Sequence, residues 1–289
     1  DHRDLHSFPT RRSSDLAPYR DEAWSVLVER AAEIDCFTAP SAYYAELMAR
    51  RLGLPRERVR VVANGINLEG YEAVGGSARE AGGPPVLGYF ARMCPEKGLD
   101  LLVEAFLLLK RRPAMERLRL RVGGSCNGPD EAFVAGLRRR LESAGLSADV
   151  EFHPNVDRST KLALMGSFSL LSVPAHYGEA FGLYLLEAWA AGLPVVQPRT
   201  AAFPELIEAT GGGVLVTPGE AVALADGIEG LILDPERARR LGEVGRRAVQ
   251  SEFSDRRMVD RVIAVLEGAH EGCGSGWVGA ARVAGLEPG

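Results

Sequence analysis

The sequence predicts an α/β fold: a doubly wound parallel sheet with helices on both faces, preceded by part of a second, smaller α/β unit. Two observations carry this. From Val86 onward, short apolar and β-branched runs alternate with stretches of helical periodicity, as in repeated strand-helix-strand crossovers. The same alternation occurs once, on a smaller scale, before residue 64. A third observation concerns the ligand. Charged residues and glycines fall just after the expected strand ends, which is where an open sheet of this kind binds its ligands.

In chain order, residues 20–31 read as a helix, 34–39 as a short strand, 41–51 as a helix and 59–63 as a strand. Asn64-Gly65-Ile66-Asn67 then reads as a turn, because Asn and Gly tolerate positive φ. Residues 75–85, GGSAREAGGPP, are polar and rich in Gly and Pro, so they read as a linker. Beyond it, strands are expected at 86–90, 117–122, 149–152, 168–173, 194–197 and 213–216. Helices at 97–110, 130–143, 158–166, 181–191 and 203–209 lie between them, and helices at 219–232, 235–250 and 254–267 close the unit. Residues 268–289 lack periodicity and read as a fraying tail. At the other end, residues 6–16, HSFPTRRSSDL, resemble a reading-frame translation of a common sequencing adapter. Residues 1–16 are therefore expected to be artefactual or disordered, with 17–74 the truncated remnant of the smaller unit and 86–267 the complete larger one.

Composition narrows the function. The formal net charge is −5 with both signs interspersed, so no nucleic-acid partner is indicated. No apolar run approaches the ~18 residues of a membrane span, and membrane association is not evident. Cys36, Cys94, Cys126 and Cys273 form no C-x-x-C pair, and reduced thiols in a cytoplasmic protein are the expectation. Neither G-x-S-x-G nor H-E-x-x-H nor G-x-x-x-x-G-K-[ST] occurs, which argues against hydrolase and P-loop chemistry.

The stretch that organises the rest is PAHYGEAFGLYLLEAWAAGLPVV, residues 174–196. A helix is expected from near Phe181, and Gly192 with Pro194 ends it. Apolar residues occupy nearly every face, so the helix should be buried on several sides. Glu187 is the exception, and no Lys or Arg lies within a turn of it on either side. The open N–H groups of Phe181, Gly182 and Leu183 at the helix start suit a phosphate, and Gly182 lets it approach without a Cβ. At ~1.5 Å per residue, Glu187 lies roughly 8 to 9 Å down the axis, where it could accept ribose hydroxyls while Glu179 accepts those of a neutral polyol. Singly, Glu179 fits a solvated loop charge and Glu187 a half-exposed one; together, at E-x7-E spacing, they point to a site.

Arg92 and Lys97, in YFARMCPEKG, follow the first strand of the larger unit, with Pro95 placed for a first helical turn. Arg offers a planar fork and Lys a point charge, and both suit one phosphate pair. Gly124 ends the next strand, where it lets backbone pass close to a ligand. His153 follows the third strand, where main-chain contact with a base is the expectation. His176 reads either as a ligand contact or as a surface loop residue, and Glu205 as part of a capped helix start. No D-x-D occurs, so the cations and helix amides are expected to stabilise a departing diphosphate without a metal. Two carboxylates also invite a glycosidase reading, which the burial expected of Glu187 argues against.

GEAFGLYLLEAWAAGLPVV resembles the signature of the family 4 retaining glycosyltransferases, and the likeness extends less tightly over residues 59–266. The resemblance implies a GT-B fold, with a Rossmann-like donor domain at 86–267 and the end of an acceptor-binding domain at 17–74. It implies a nucleoside diphosphate sugar as donor substrate, with no cofactor and no metal. The acceptor is unknown: a sugar, a lipid-linked glycan or a small molecule. Arg92, Lys97 and Glu179 take the catalytic roles by this likeness. Gly124, His153, Phe181, Gly182, Leu183 and Glu187 take donor-binding ones, with Glu179 on sugar hydroxyls and Glu187 on the ribose. Ala201-Ala202-Phe203-Pro204-Glu205 is similar to the family's small-small-x-Pro-Glu turn, which implies that Glu205 organises the loop behind the site. Where the family usually has NG-hydrophobic-Asp, this chain has Asn67, which removes the charge from that position. A truncated chain is expected to bind nucleotide without transferring sugar. The alternatives are a sugar-nucleotide epimerase of the same fold and a non-catalytic nucleotide-sugar-binding fragment.

Overall fold

The computed structural model describes residues 19–74 and 83–272. The adapter-like segment, most of the expected linker and residues 273–289 of the tail lie outside them. The smaller unit holds helix α1 (Arg20–Ala31), strand β1 (Phe37–Ala39), helix α2 (Ala42–Leu52) and strand β2 (Val59–Val61), with β1 and β2 paired in parallel. Helix α2 starts where Ser41 Oγ accepts the Tyr44 amide, and it ends at Gly53, whose φ of 64° suits a glycine. Ala45 and Ala49 pack with Ala39 and Val59 in a small separate core. Tyr71 and Val74, which follow, are buried in the larger core instead.

The larger unit has β3 (Val86–Phe90), β4 (Arg119–Gly124), β5 (Val150–Pro154), β6 (Leu170–Leu171), β7 (Val195–Pro198) and β8 (Gly213–Val216). They form one six-stranded parallel sheet in the order β5-β4-β3-β6-β7-β8. The chain thus starts in the middle, builds one half outward, and returns to build the other. The reversal falls between β3 and β6, and the crevice at such a reversal, beyond the strand ends, is the binding place of a doubly wound sheet. Leu87, Tyr89, Leu120, Val122, Leu171 and Val195 are fully buried, as strands covered on both faces require. The helices are α3 (Leu99–Leu109), α4 (Pro129–Ser143), α5 (Arg158–Ser167), α6 (Leu183–Ala190), α7 (Phe203–Thr210), α8 (Ala221–Ile232), α9 (Pro235–Glu252) and α10 (Asp255–Gly272).

Several boundaries differ from expectation, two of them because of a single glycine. Helix α3 starts at Leu99, because Gly98 at φ 70° separates it from a 3-10 turn over Pro95–Lys97; Pro95 opens that turn and not the helix. Helix α6 starts at Leu183, because Gly182 at φ 92° lies outside the right-handed helical region. Helix α10 runs on to Gly272, past the end expected at 267. No helix among the described residues is long and apolar enough to cross a membrane.

Candidate functional site

Backbone contacts fix the two loops that flank the reversal. Ala91 N donates to Gly123 O at 3.2 Å and Met93 N to Ser125 O at 2.8 Å, so the chain after β3 stays registered on the end of β4. Gly124 has φ 134°, and a Cβ there would stand 1.8 Å from Ala91 O. Its lack of a side chain therefore lets the two strand ends close on each other. A Cβ on Gly98 would likewise meet Pro174 O at 1.9 Å, and His176 N donates to Glu96 O at 3.0 Å. The turn carrying Lys97 is thereby pressed against the loop carrying Glu179.

A cavity of about 740 Å³ opens there, between the two units. Of the residues expected at the site, Arg92, Lys97, Gly124, Glu179, Phe181, Gly182, Leu183 and Glu187 line it. His153 does not. It sits on β5, the outermost strand, with Nε2 3.1 Å from Glu151 Oε2. Asn155, just beyond, holds the neighbouring loop instead: Cys126 N donates to Asn155 Oδ1 at 3.0 Å, and Asn155 Nδ2 donates to Cys126 O at 2.9 Å. His176 also lies outside the cavity lining, 2.9 Å from Asp100 Oδ1 and exposed. The smaller unit contributes Trp24, Tyr43, Tyr44, Arg51 and Asn64 to the wall.

The charges are arranged in pairs. Arg92 forks onto Asp130 in the first turn of α4, Nε to Oδ2 at 2.8 Å and Nη2 to Oδ1 at 3.0 Å. Lys97 bonds Glu179, with both side chains nearly buried. Lys161, on α5, reaches Glu187 Oε1 at 2.6 Å. The partner for Glu187 that its own helix lacks thus comes from a different helix, through the long side chain of Lys161. Burial favours the neutral amine of Lys97, but the Glu179 carboxylate and Tyr177 outweigh it and hold the pKa above its ordinary value. Burial, then Glu179, pushes the Tyr184 hydroxyl well above the usual range, and burial pushes the Cys94 thiol up to about 11.

At the start of α6, Leu185 N bonds back to Gly182 O at 2.9 Å, and the described residues place no acceptor on the amides of Phe181, Gly182 and Leu183. Arg92, Lys97 and Lys161, with open amides and two carboxylates in one cleft, suit a ligand that is anionic at one end and rich in hydroxyls at the other. Lys161, Asp130, Tyr177 and Tyr184 were not anticipated. Of these only Tyr184 had a local signal, a hydroxyl on an otherwise apolar helix.

A sheet with this order defines a doubly wound, Rossmann-like α/β protein. The sequence profile of the glycosyl transferases group 1 matches residues 76–248, and that of glycosyltransferase family 4 matches residues 2–69. The chain belongs to the group 1 glycosyltransferases. It is 30% identical over 216 residues to a D-inositol 3-phosphate glycosyltransferase of Nocardia farcinica, over 73% of this chain and 48% of the relative. It thus spans about half the length of that relative. Among solved structures, sucrose-phosphate synthase from Thermosynechococcus elongatus has a TM-score of 0.75 at 23% identity, over 92% of this chain and 65% of that one. Anabaena Alr3699/HepE in complex with UDP-glucose gives 0.74 at 23% identity, over 87% and 69%.

Proposed function

We propose that this chain is the donor-binding part of a retaining, metal-independent glycosyltransferase that takes a hexose from a nucleoside diphosphate sugar. The observation that supports this reading best is the meeting of Glu179 and Glu187 in one cleft with Arg92, Lys97, Lys161 and the open amides before α6. The diphosphate lies on the amides and draws Arg92 and Lys97 to itself, because a dianion outcompetes single carboxylates for cations. As the bond to the sugar breaks, negative charge grows on the β-phosphate, and these fixed positive groups stabilise it without a metal. Glu187 accepts the ribose hydroxyls and Glu179 those of the sugar. The acceptor enters from the side of the smaller unit. It is a sugar, a lipid-linked glycan or a small molecule, and the name of the Nocardia relative puts a phosphorylated polyol among those to try. The cytoplasm is the proposed location.

Calorimetric titration with UDP and UDP-glucose tests the reading. Glu187→Ala should weaken both ligands, by about tenfold or more for a lost pair of hydroxyl contacts to a charged group. Glu179→Ala should weaken only the increment that the glucose adds. Equal losses for both ligands in the Glu179 variant would undo this division of roles.

A further inference from the structure

Glu179 is 9% exposed, and one of its oxygens collects three donors. Lys97 Nζ, Tyr184 Oη at 3.1 Å and Tyr177 Oη at 3.4 Å all reach Oε2, and none of these bonds uses Oε1. The two rings also flank the ammonium, whose nitrogen lies 5.2 Å from the centroid of Tyr177 and 5.3 Å from that of Tyr184. Tyr177 belongs to the loop, whereas Tyr184 stands in the first turn of α6, and its ring packs on Phe203 at 6.4 Å between centroids. One of the two hydroxyls is therefore anchored on a rigid element.

We propose that Tyr184, assisted by Tyr177, is a positioning residue for the sugar of the donor: it holds Glu179 in place when Lys97 turns to the diphosphate, so that Oε1 receives a sugar hydroxyl. The inference rests on the donor-binding reading above. Lys97 has two competing partners, a carboxylate and an arriving diphosphate, and the second carries more charge. A buried carboxylate deserted by its cation rotates or takes up water unless other donors satisfy it. The tyrosine hydroxyls are such donors. They already occupy the oxygen that Lys97 would leave, so the carboxylate need not turn. The hydroxyl of Tyr184 should therefore matter when a sugar is attached and hardly at all for nucleotide alone.

Tyr184→Phe keeps the ring, its packing on Phe203 and its face toward Lys97, and removes only the hydroxyl. The parent and the variant are titrated calorimetrically with UDP, GDP and ADP and with their glucose esters. For the nucleotide that binds, the variant should match the parent within about twofold on the diphosphate and lose about five- to tenfold on the sugar ester. Tyr177→Phe should give the same split, reduced because its bond is longer, and it tests the idea independently should the first variant not fold. Unchanged affinity for both ligands in these variants overturns the inference, as does an equal loss for both, which would mean that the hydroxyl supports the whole pocket. A parent that gains nothing from the sugar overturns it too. A parent that binds none of the nucleotides overturns the donor-binding reading itself.

Discussion

The pair Lys97–Glu179 lines the cleft and is at the same time part of the interior. Both side chains are about nine-tenths buried, so removing one leaves a desolvated charge behind. Lys97 binds its proton more tightly folded than unfolded, since Glu179 and Tyr177 outweigh the burial that opposes the charge. Its contribution to stability is therefore whole below its ordinary value of 10.5 and is lost as pH rises through the higher folded value. Lys97→Met should lower stability at neutral pH by about 3 kcal/mol, and Glu179→Gln in the same chain should restore part of it. Urea midpoints followed from pH 8 to 12 should show the gap between parent and Lys97→Met closing above about pH 10.5. A gap that stays constant would mean that the pair does not stabilise the fold. Lys161 makes the complementary point. It stands 26 residues before Glu187 and reaches it from a different helix, so no reading of spacing along α6 could have found it.

At the scale of elements, the alternation of strands and helices was legible because parallel strands buried on both faces must be continuously apolar and must be joined by helices. Boundaries moved where a single glycine took a positive φ, as at Gly98 and Gly182, and composition does not distinguish such a glycine from one inside a helix. Contacts across long separations were not legible at all. Glu205 is the instructive case. It does not line the cleft, but its Oε1 accepts Ala42 N at 2.8 Å and its Oε2 accepts Tyr43 N at 3.2 Å, which caps the first turn of α2 from the other unit. Ser41 Oγ donates to Ala180 O at 2.6 Å beside it. A carboxylate at a helix N-terminus complements both the open amides and the dipole. Glu205→Ala should cost about 1 kcal/mol and speed the exchange of the Ala42 and Tyr43 amides by about fivefold or more, with helices α8 and α9 unaffected. Amide exchange by mass spectrometry or NMR reads this directly, and protection at both amides equal to the parent's would show that the cap holds nothing.

At the scale of the molecule, the question is whether the two units behave as one body. The core of the smaller is Ala39, Ala45, Ala49 and Val59, far too little apolar burial to hold a fold on its own. What it lacks is supplied across the junction. Ser41 and α2 are tied to the loop at Ala180 and to Glu205, and Ile66 is clasped between Phe253 O at 2.9 Å and Asp255 N at 3.1 Å. These contacts join residues far apart along the chain, so no local reading of the smaller unit discloses them. Because the cleft is walled by both units, a ligand in it stabilises their contact as well as its own pocket. At a hundredfold excess over Kd, a ligand specific for the folded state adds about 2.7 kcal/mol. For a body of this size that raises Tm by about 5–10 °C. Scanning calorimetry with saturating UDP or UDP-glucose should therefore show one endotherm that moves as a whole, and a tenfold weaker Glu187→Ala variant should show about half the shift at the same ligand concentration. Two endotherms, of which the ligand moves only one, would mean that the wall built by Tyr43, Tyr44 and Asn64 takes no part in holding it.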